Sequence, residues 1–243
     1  MTDEKNRLQP DAKVAIVTGA GGGAAPAVVE ALRAHGWRVA LVDRPGKEAQ
    51  LRERYHVPDD DERLAAFGAD LATDEGARDA VKRVLARFGA VDALLNLAGG
   101  FATGKAHEVN LDALERMLTV NLRTAVATTR AVLPVLRERG RGAIVGIAAA
   151  AASNPAPGKA HYAASKAAVA AYFRSLAAEV ADDGIDVAVL SPMSAIDTPA
   201  NREDMPNADT ATWIAPEALA DAVVFLLERP ERGKVRELDL RAG

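Results

Sequence analysis

Apolar positions in this chain fall into two kinds of block: short unbroken runs of strand length, and longer stretches with helical spacing. KVAIVT (13–18) predicts a buried strand, and PAVVEALRAH (26–35) the helix after it. WRVALVD (37–43) predicts a second strand, a short helix spans about 47–54, and a third strand lies around 63–67 after the polar loop VPDDDE. ARDAVKRVLARFG (77–89) has an amphipathic helical pattern, and VDALLNLAG (91–99) predicts a fourth strand. One long helix is expected over 111–138, with Pro134 inside its pattern and therefore a kink there. GAIVGIA (142–148) is a fifth strand, 161–180 a helix, IDVAVLS (185–191) a sixth strand, 216–228 a helix, and KVRELDL (234–240) a last strand. The strands are apolar throughout rather than alternating, as in a parallel sheet covered on both faces. The expected fold is α/β: a single doubly wound parallel sheet of about seven strands with helices on both faces. No linker or repeat divides the chain. A polar tail (1–12) precedes one domain (13–243), and a turn-rich loop or lid occupies about 193–213.

Composition narrows the class. The chain has 243 residues, no cysteine, a formal net charge of -4 and a sequence pI near 5.7. Disulfides and thiolate zinc sites are excluded, and the charge gives no electrostatic case for nucleic acid or an anionic membrane. The longest apolar runs fall short of a bilayer span. The N-terminus, MTDEKNRLQPD, has the pattern of neither a signal nor a transit peptide. A cytoplasmic protein is expected. His35, His56, His107 and His161 lack metal-ligand spacing, so no metal site is expected.

Two groups of residues carry candidate chemistry. Gly19, Gly21, Gly22 and Gly23 sit where the first strand gives way to the first helix. Glycine there permits a tight turn and close backbone approach, and a helix N-terminus offers free N–H groups to a pyrophosphate. Asp43 ends the second strand, where a carboxylate accepts hydrogen bonds from ribose hydroxyls and repels a 2′-phosphate. NAD(H) is therefore expected as cofactor, with NADP(H) as the alternative because Arg44 follows directly; Asp43 as a mere cap of the next turn is the plainer reading. The second group is Tyr162 and Lys166, four apart and so on one helical face. An ammonium beside a phenol, whose free pKa is about 10, favours the phenolate and makes tyrosine a usable general acid or base.

Taken with Asp70-Leu71, Asn96-Leu97-Ala98-Gly99 and Asn121, these residues resemble the short-chain dehydrogenase/reductase family over nearly the whole chain. The resemblance implies a Rossmann-type fold and a nicotinamide-dependent oxidoreductase. It implies that Asp70 contacts the adenine amino group, with Leu71 beside it, and that Asn96, Ala98 and Gly99 wall the adenosine. It further implies that Asn121 binds a backbone carbonyl in its kinked helix and holds a water that relays protons to Lys166. Tyr162 is then the proton donor, and Lys166 binds the nicotinamide ribose and lowers the tyrosine pKa. Three positions depart from the family pattern: Ala25 replaces the last turn glycine, Ser191-Pro192-Met193 replaces the usual Pro-Gly, and Ala149 stands thirteen residues before Tyr162, at the usual catalytic serine. Loss of such an oxyanion donor costs on the order of 10²–10³ in rate.

Alanine at that position is similar to the dihydropteridine reductase-like branch of the family, as are VDALLNLAGGFATG (91–104) and IDTPANREDMPNADTATW (196–213). This likeness implies a tyrosine-only proton donor acting on a small conjugated C=N or C=O substrate, quinonoid or imine-like. Pro192 is expected on the cofactor side, and Phe101, Ala149, Met193 and Trp213 on the substrate side, Trp213 chiefly as an anchor for the lid. Two alternatives stand beside it: an ordinary carbonyl reductase or alcohol dehydrogenase with Ser153 or Ser194 in the missing serine's place, and a nucleotide-binding protein without turnover. The resemblance also implies a homodimer or homotetramer through the 111–138 helix and the alanine-rich Tyr162 helix.

Overall fold

The computed structural model describes residues 12–154, 156–229 and 233–243. The strands are β1 (Val14–Thr18), β2 (Arg38–Asp43), β3 (Leu64–Gly68), β4 (Ala93–Asn96), β5 (Gly142–Ile147), β6 (Ile185–Pro192) and β7 (Glu237–Leu240). They form one sheet in the order β3-β2-β1-β4-β5-β6-β7, every pair parallel. The helices are α1 (Ala25–Ala34), α2 (Glu48–Arg54), α3 (Asp74–Phe88), α4 (Leu111–Met117), α5 (Thr124–Arg139), α6 (Ala160–Glu179), α7 (Pro199–Asp204) and α8 (Pro216–Leu227). This is the doubly wound parallel sheet expected from the apolar runs, with the Rossmann-type order that the family resemblance implies.

Strands β1 to β6 bury side chains on both faces, because successive side chains point to opposite sides of the pleat, whereas the edge strand β7 leaves Glu237 and Asp239 exposed. Val14 and Ile16 join the core made with α3, α5 and α6, while Ala15 and Val17 join the one made with α1 and α8. Within the first core the fully buried Phe173 of α6 lies on Gly146 of β5, so closely that a β-carbon at 146 would overlap its ring. Burying a side chain of that size contributes about 1.5–3 kcal/mol, so the glycine is a packing requirement. The chain runs outward from β1 to β3 and then crosses to β4 on the other side. A cleft therefore opens at the C-terminal ends of β1 and β4, the switch point where ligands bind in such sheets.

The helix expected over 111–138 is interrupted, but not at Pro134. A π-helical stretch, Leu118–Arg123, separates α4 from α5, and α5 runs on through Pro134. Pro134 lies on the exposed face, where water can satisfy the carbonyl that loses its donor. The lid region, expected as loop, contains α7, whose N-cap Thr198 accepts from the Asn201 backbone N–H. The fourth and last strands are shorter than their apolar runs suggest. Among the described residues no helix is long and apolar enough to cross a membrane. Apart from Ala12, the polar tail lies outside the described residues.

Candidate active site

Thr18, buried at the end of β1, donates its hydroxyl to the Leu95 carbonyl and accepts from the Ala98 backbone N–H. It thus ties the glycine turn to the segment after β4. Gly19 follows with φ +67°, and a β-carbon there would lie 2.6 Å from the Ala98 Cα. Backbone blocks backbone, so no other residue fits without moving a strand. Gly21 and Gly22 are exposed, and Gly23 packs under Thr198, which would lie 2.8 Å from a β-carbon at 23. Asp43 closes the turn from β2: Oδ2 accepts from the Gly21 N–H (2.7 Å) and Oδ1 from the Arg44 N–H (2.7 Å). The plainer reading of Asp43 as a turn cap is therefore met, yet the carboxylate also faces a cavity of about 360 Å³ with Arg44, Lys47 and Arg54.

Sequence reasoning missed a second clamp on this turn. Arg54 Nη1 donates to the Gly21 carbonyl (2.6 Å) and Tyr55 Oη to that of Ala20 (2.7 Å). Burial pushes the Tyr55 phenol up to about 12, so it stays a neutral donor. A bare glycine turn with its carbonyls held back, a carboxylate at the end of β2 and an adjoining cavity fit the phosphates and ribose of a dinucleotide.

The remaining cofactor-side residues divide. Ala98 and Gly99 stand against the glycine turn and Lys166, as a wall requires. Asn96 does not: its side chain is buried, Oδ1 accepts from Thr128 Oγ1 (2.7 Å), and Nδ2 has no partner among the described residues. It joins β4 to α5 rather than facing the cleft. Leu71 is buried in the core, and exposed Asp70 accepts from the Ala72 N–H through Oδ1; neither lines the cavity beside Asp43.

A larger cavity of about 550 Å³ lies beyond the ends of β4, β5 and β6. Tyr162, Lys166, Phe101, Ala149, Pro192 and Met193 all line it, and Trp213 does not. Trp213 is buried next to Ile214, which bridges to Ile196. Phe101 meets Tyr162 edge to face, ring centres 4.9 Å apart. Ser153 is exposed, outside the lining, and turned towards the Ala150 carbonyl. Ser194 reaches the cavity, but its hydroxyl donates to the Thr212 carbonyl (2.7 Å). Among the described residues, Tyr162 Oη makes no hydrogen bond. It is the one hydroxyl of the lining left free for a ligand.

The geometry corrects two expectations about its partners. Lys166 Nζ donates to the Ile147 carbonyl (2.9 Å) rather than to the phenol. Burial pushes Tyr162 up to about 12 and draws Lys166 down to about 8. Desolvation sets the tyrosine, and the ammonium, hydrogen-bonded to a carbonyl rather than to the phenol, does not offset it. Asn121, in turn, does not bind a carbonyl of its own helix. The π-helical stretch directs its buried side chain to the loop after β4: Oδ1 accepts from the Gly100 N–H (2.9 Å), and Nδ2 donates to the Gly100 carbonyl (3.1 Å) and to Ser165 Oγ (2.9 Å). Ser165, also missed in the sequence, passes the contact on to the Tyr162 carbonyl (2.8 Å). Its place between Tyr162 and Lys166 was the available signal.

This arrangement can hold a dinucleotide along the strand ends and present a protonated phenol to a small molecule beside it. Known proteins resemble the chain over most of its length. The family profile described as short chain dehydrogenase matches residues 13–209. An uncharacterized oxidoreductase of Staphylococcus epidermidis is 30% identical over 230 residues, which cover 94% of this chain and 96% of that one. A 3-ketoacyl-(acyl-carrier-protein) reductase from Brucella melitensis, solved with NADH, superposes with a TM-score of 0.82 at 29% identity, covering 98% of this chain and 99% of that chain. A gluconate 5-dehydrogenase from Burkholderia cenocepacia, solved with NADP and tartrate, gives 0.85 at 26% identity, with 98% and 96% covered. The chain therefore belongs to the short-chain dehydrogenase/reductase family of nicotinamide-dependent oxidoreductases.

Proposed function

We propose that this enzyme uses NADH to reduce a small conjugated C=N or C=O substrate, quinonoid or imine-like, with Tyr162 as the proton donor. The observation that carries the reading is the cavity beside Ala149, in which Tyr162 keeps the free hydroxyl while Ser194 is bound to the Thr212 carbonyl and Ser153 lies outside. A simple ketone concentrates developing charge on one oxygen and needs a second donor there. A conjugated acceptor spreads that charge over its frame, so one donor suffices. When bound, the reduced nicotinamide supplies the hydride. Tyr162 gives its proton from Oη, Lys166 keeps positive charge behind it, and Asn121 fixes the Gly99–Gly100 backbone against the Tyr162 helix.

The same reading takes NADH as the preferred cofactor, since Asp43 faces the cavity where a 2′-phosphate would sit. Arg44, Lys47 and Arg54 around it support residual use of NADPH. It also includes a cytoplasmic enzyme assembled as a dimer or tetramer. The test is absorbance loss at the dihydronicotinamide band with quinonoid pterin, imine, quinone and simple ketone acceptors, alongside titrations with NADH and NADPH. Conjugated acceptors turned over faster than ketones, and NADH bound more tightly than NADPH, are the expected results; a preference for simple ketones overturns the proposal.

Ala149→Ser separates this reading from ordinary carbonyl reduction. Restoring the hydroxyl is expected to raise turnover of simple ketones towards the 10²–10³-fold worth of an oxyanion donor. Conjugated acceptors gain little. An equal large gain on both classes would show that charge does build on one oxygen of the conjugated substrate.

A further inference from the structure

Among the described residues, the cavity beside Tyr162 is lined by two lysines, Lys159 and Lys166, and by no aspartate or glutamate. Apart from Tyr162, its other polar side chains are committed: Ser194 to the Thr212 carbonyl and Asn201 Nδ2 to that of Ile196. Lys166 is buried and donates to the Ile147 carbonyl. Lys159 is different. It is half-buried at the start of α6 and forms no ion pair among the described residues. Its Nζ stands 5.6 Å from the centre of the Phe101 ring, which in turn meets Tyr162 edge-on. A cation over a half-exposed ring is weakly held compared with one in a charge-assisted hydrogen bond.

Two acidic groups on segments that flank the cavity are already paired: Asp197 with Arg202 through both oxygens, and Glu108 with Lys105. The position of Lys159 is also fixed by the backbone. Gly104 N–H donates to the Gly158 carbonyl (2.8 Å), latching the loop that carries Phe101 to the turn that carries Lys159. Cation, ring and phenol thus form a prearranged series along one side of the cavity. Met193, Ile196 and Met205 line it with apolar surface.

We propose that the substrate carries an anionic group, a carboxylate or its equivalent, which Lys159 holds at the Phe101 side of the cavity. This rests on the reading of the cavity as the substrate site. An anion placed there lays a flat conjugated frame along Phe101 with its reducible end beside Tyr162 Oη. Lys159 is then a specificity-determining residue.

Binding of 2-naphthoate and its neutral isostere 2-naphthamide to the NADH-saturated enzyme, followed by quenching of NADH fluorescence, tests the site without turnover. The wild type is expected to favour naphthoate by about tenfold, the effect of one charge-assisted hydrogen bond. Lys159→Gln is expected to abolish that preference and Lys159→Arg to retain it, with melting curves showing both variants folded. Equal affinity for the two ligands, no binding of naphthoate, or a preference that survives Lys159→Gln overturns the proposal. Reduction of neutral conjugated acceptors without any naphthoate preference would overturn the anion site alone, and naphthoate preference without such reduction would overturn the proposed reaction alone.

Discussion

Tyr162→Phe is expected to lower turnover by about 10²–10⁴-fold, the usual worth of a positioned general acid, and to leave NADH affinity nearly intact. The change removes one oxygen that makes no hydrogen bond among the described residues, and the ring contact with Phe101 survives. Burial already disfavours that hydroxyl's ionisation, so no paired charge is lost and the melting temperature should hold or rise slightly. Turnover measured beside a fluorescence titration with NADH separates the two effects. Undiminished turnover in this variant would remove Tyr162 from the reaction.

The pH profile of the wild type follows from the same pair. With its phenol near 12, Tyr162 remains a loaded donor throughout the neutral range. Lys166, near 8, is charged below that pH and loses its charge as pH rises through it. Reduction depends on both groups in their protonated forms, so kcat/KM should fall as pH rises through about 8, and the limb belongs to the lysine. A profile flat to pH 10 would mean that bound cofactor restores the Lys166 charge.

Most of the architecture was legible because local patterns and the fold agree. Strand-length apolar runs separated by helical stretches admit few arrangements other than a parallel sheet with two covered faces, and glycine at 19 could be read as a turn because only a bare backbone passes there. What escaped depended on contacts distant in the chain. Arg54 and Tyr55 look like ordinary surface residues of a short helix until the fold brings them to the Ala20 and Gly21 carbonyls. Asn96 was read as cofactor wall because its motif lies at the cleft, yet the last residue of β4 turns its side chain to Thr128. The Tyr162/Lys166 spacing correctly places both in one cavity, but spacing cannot reveal that a carbonyl takes the ammonium or that burial dominates both pKa values. Pro134 misled because proline's cost depends on which helix face it occupies.

Asn121→Ala is expected to cost more than a lost side chain of that size suggests. Asn121 is almost fully buried and serves the Gly100 N–H, the Gly100 carbonyl and Ser165 Oγ at once. Its truncation takes the side-chain partner from the Gly100 N–H and carbonyl, at about 1–3 kcal/mol for each one left unsatisfied and so about 2–6 kcal/mol for the two, while Ser165 Oγ keeps the Tyr162 carbonyl. For a domain of this size that lowers the melting temperature by roughly 5–15 °C. The functional loss has a separate origin. Gly99 and Gly100 line the Tyr162 cavity, and the clamp fixes their distance from α6 through Ser165 and the Tyr162 carbonyl. Releasing it lets the loop bearing Phe101 drift from the phenol, and a displacement of about 1 Å can cost on the order of 10²-fold in rate. Ser165→Ala keeps both contacts to Gly100 and removes the link to α6, so it should lose far less stability than Asn121→Ala. Turnover measured well below each melting point, beside thermal unfolding of the two variants, distinguishes the roles. Full turnover of folded Asn121→Ala would make the clamp a purely structural device, whereas a large loss at intact fold makes the π-helical break in the helix part of the catalytic geometry.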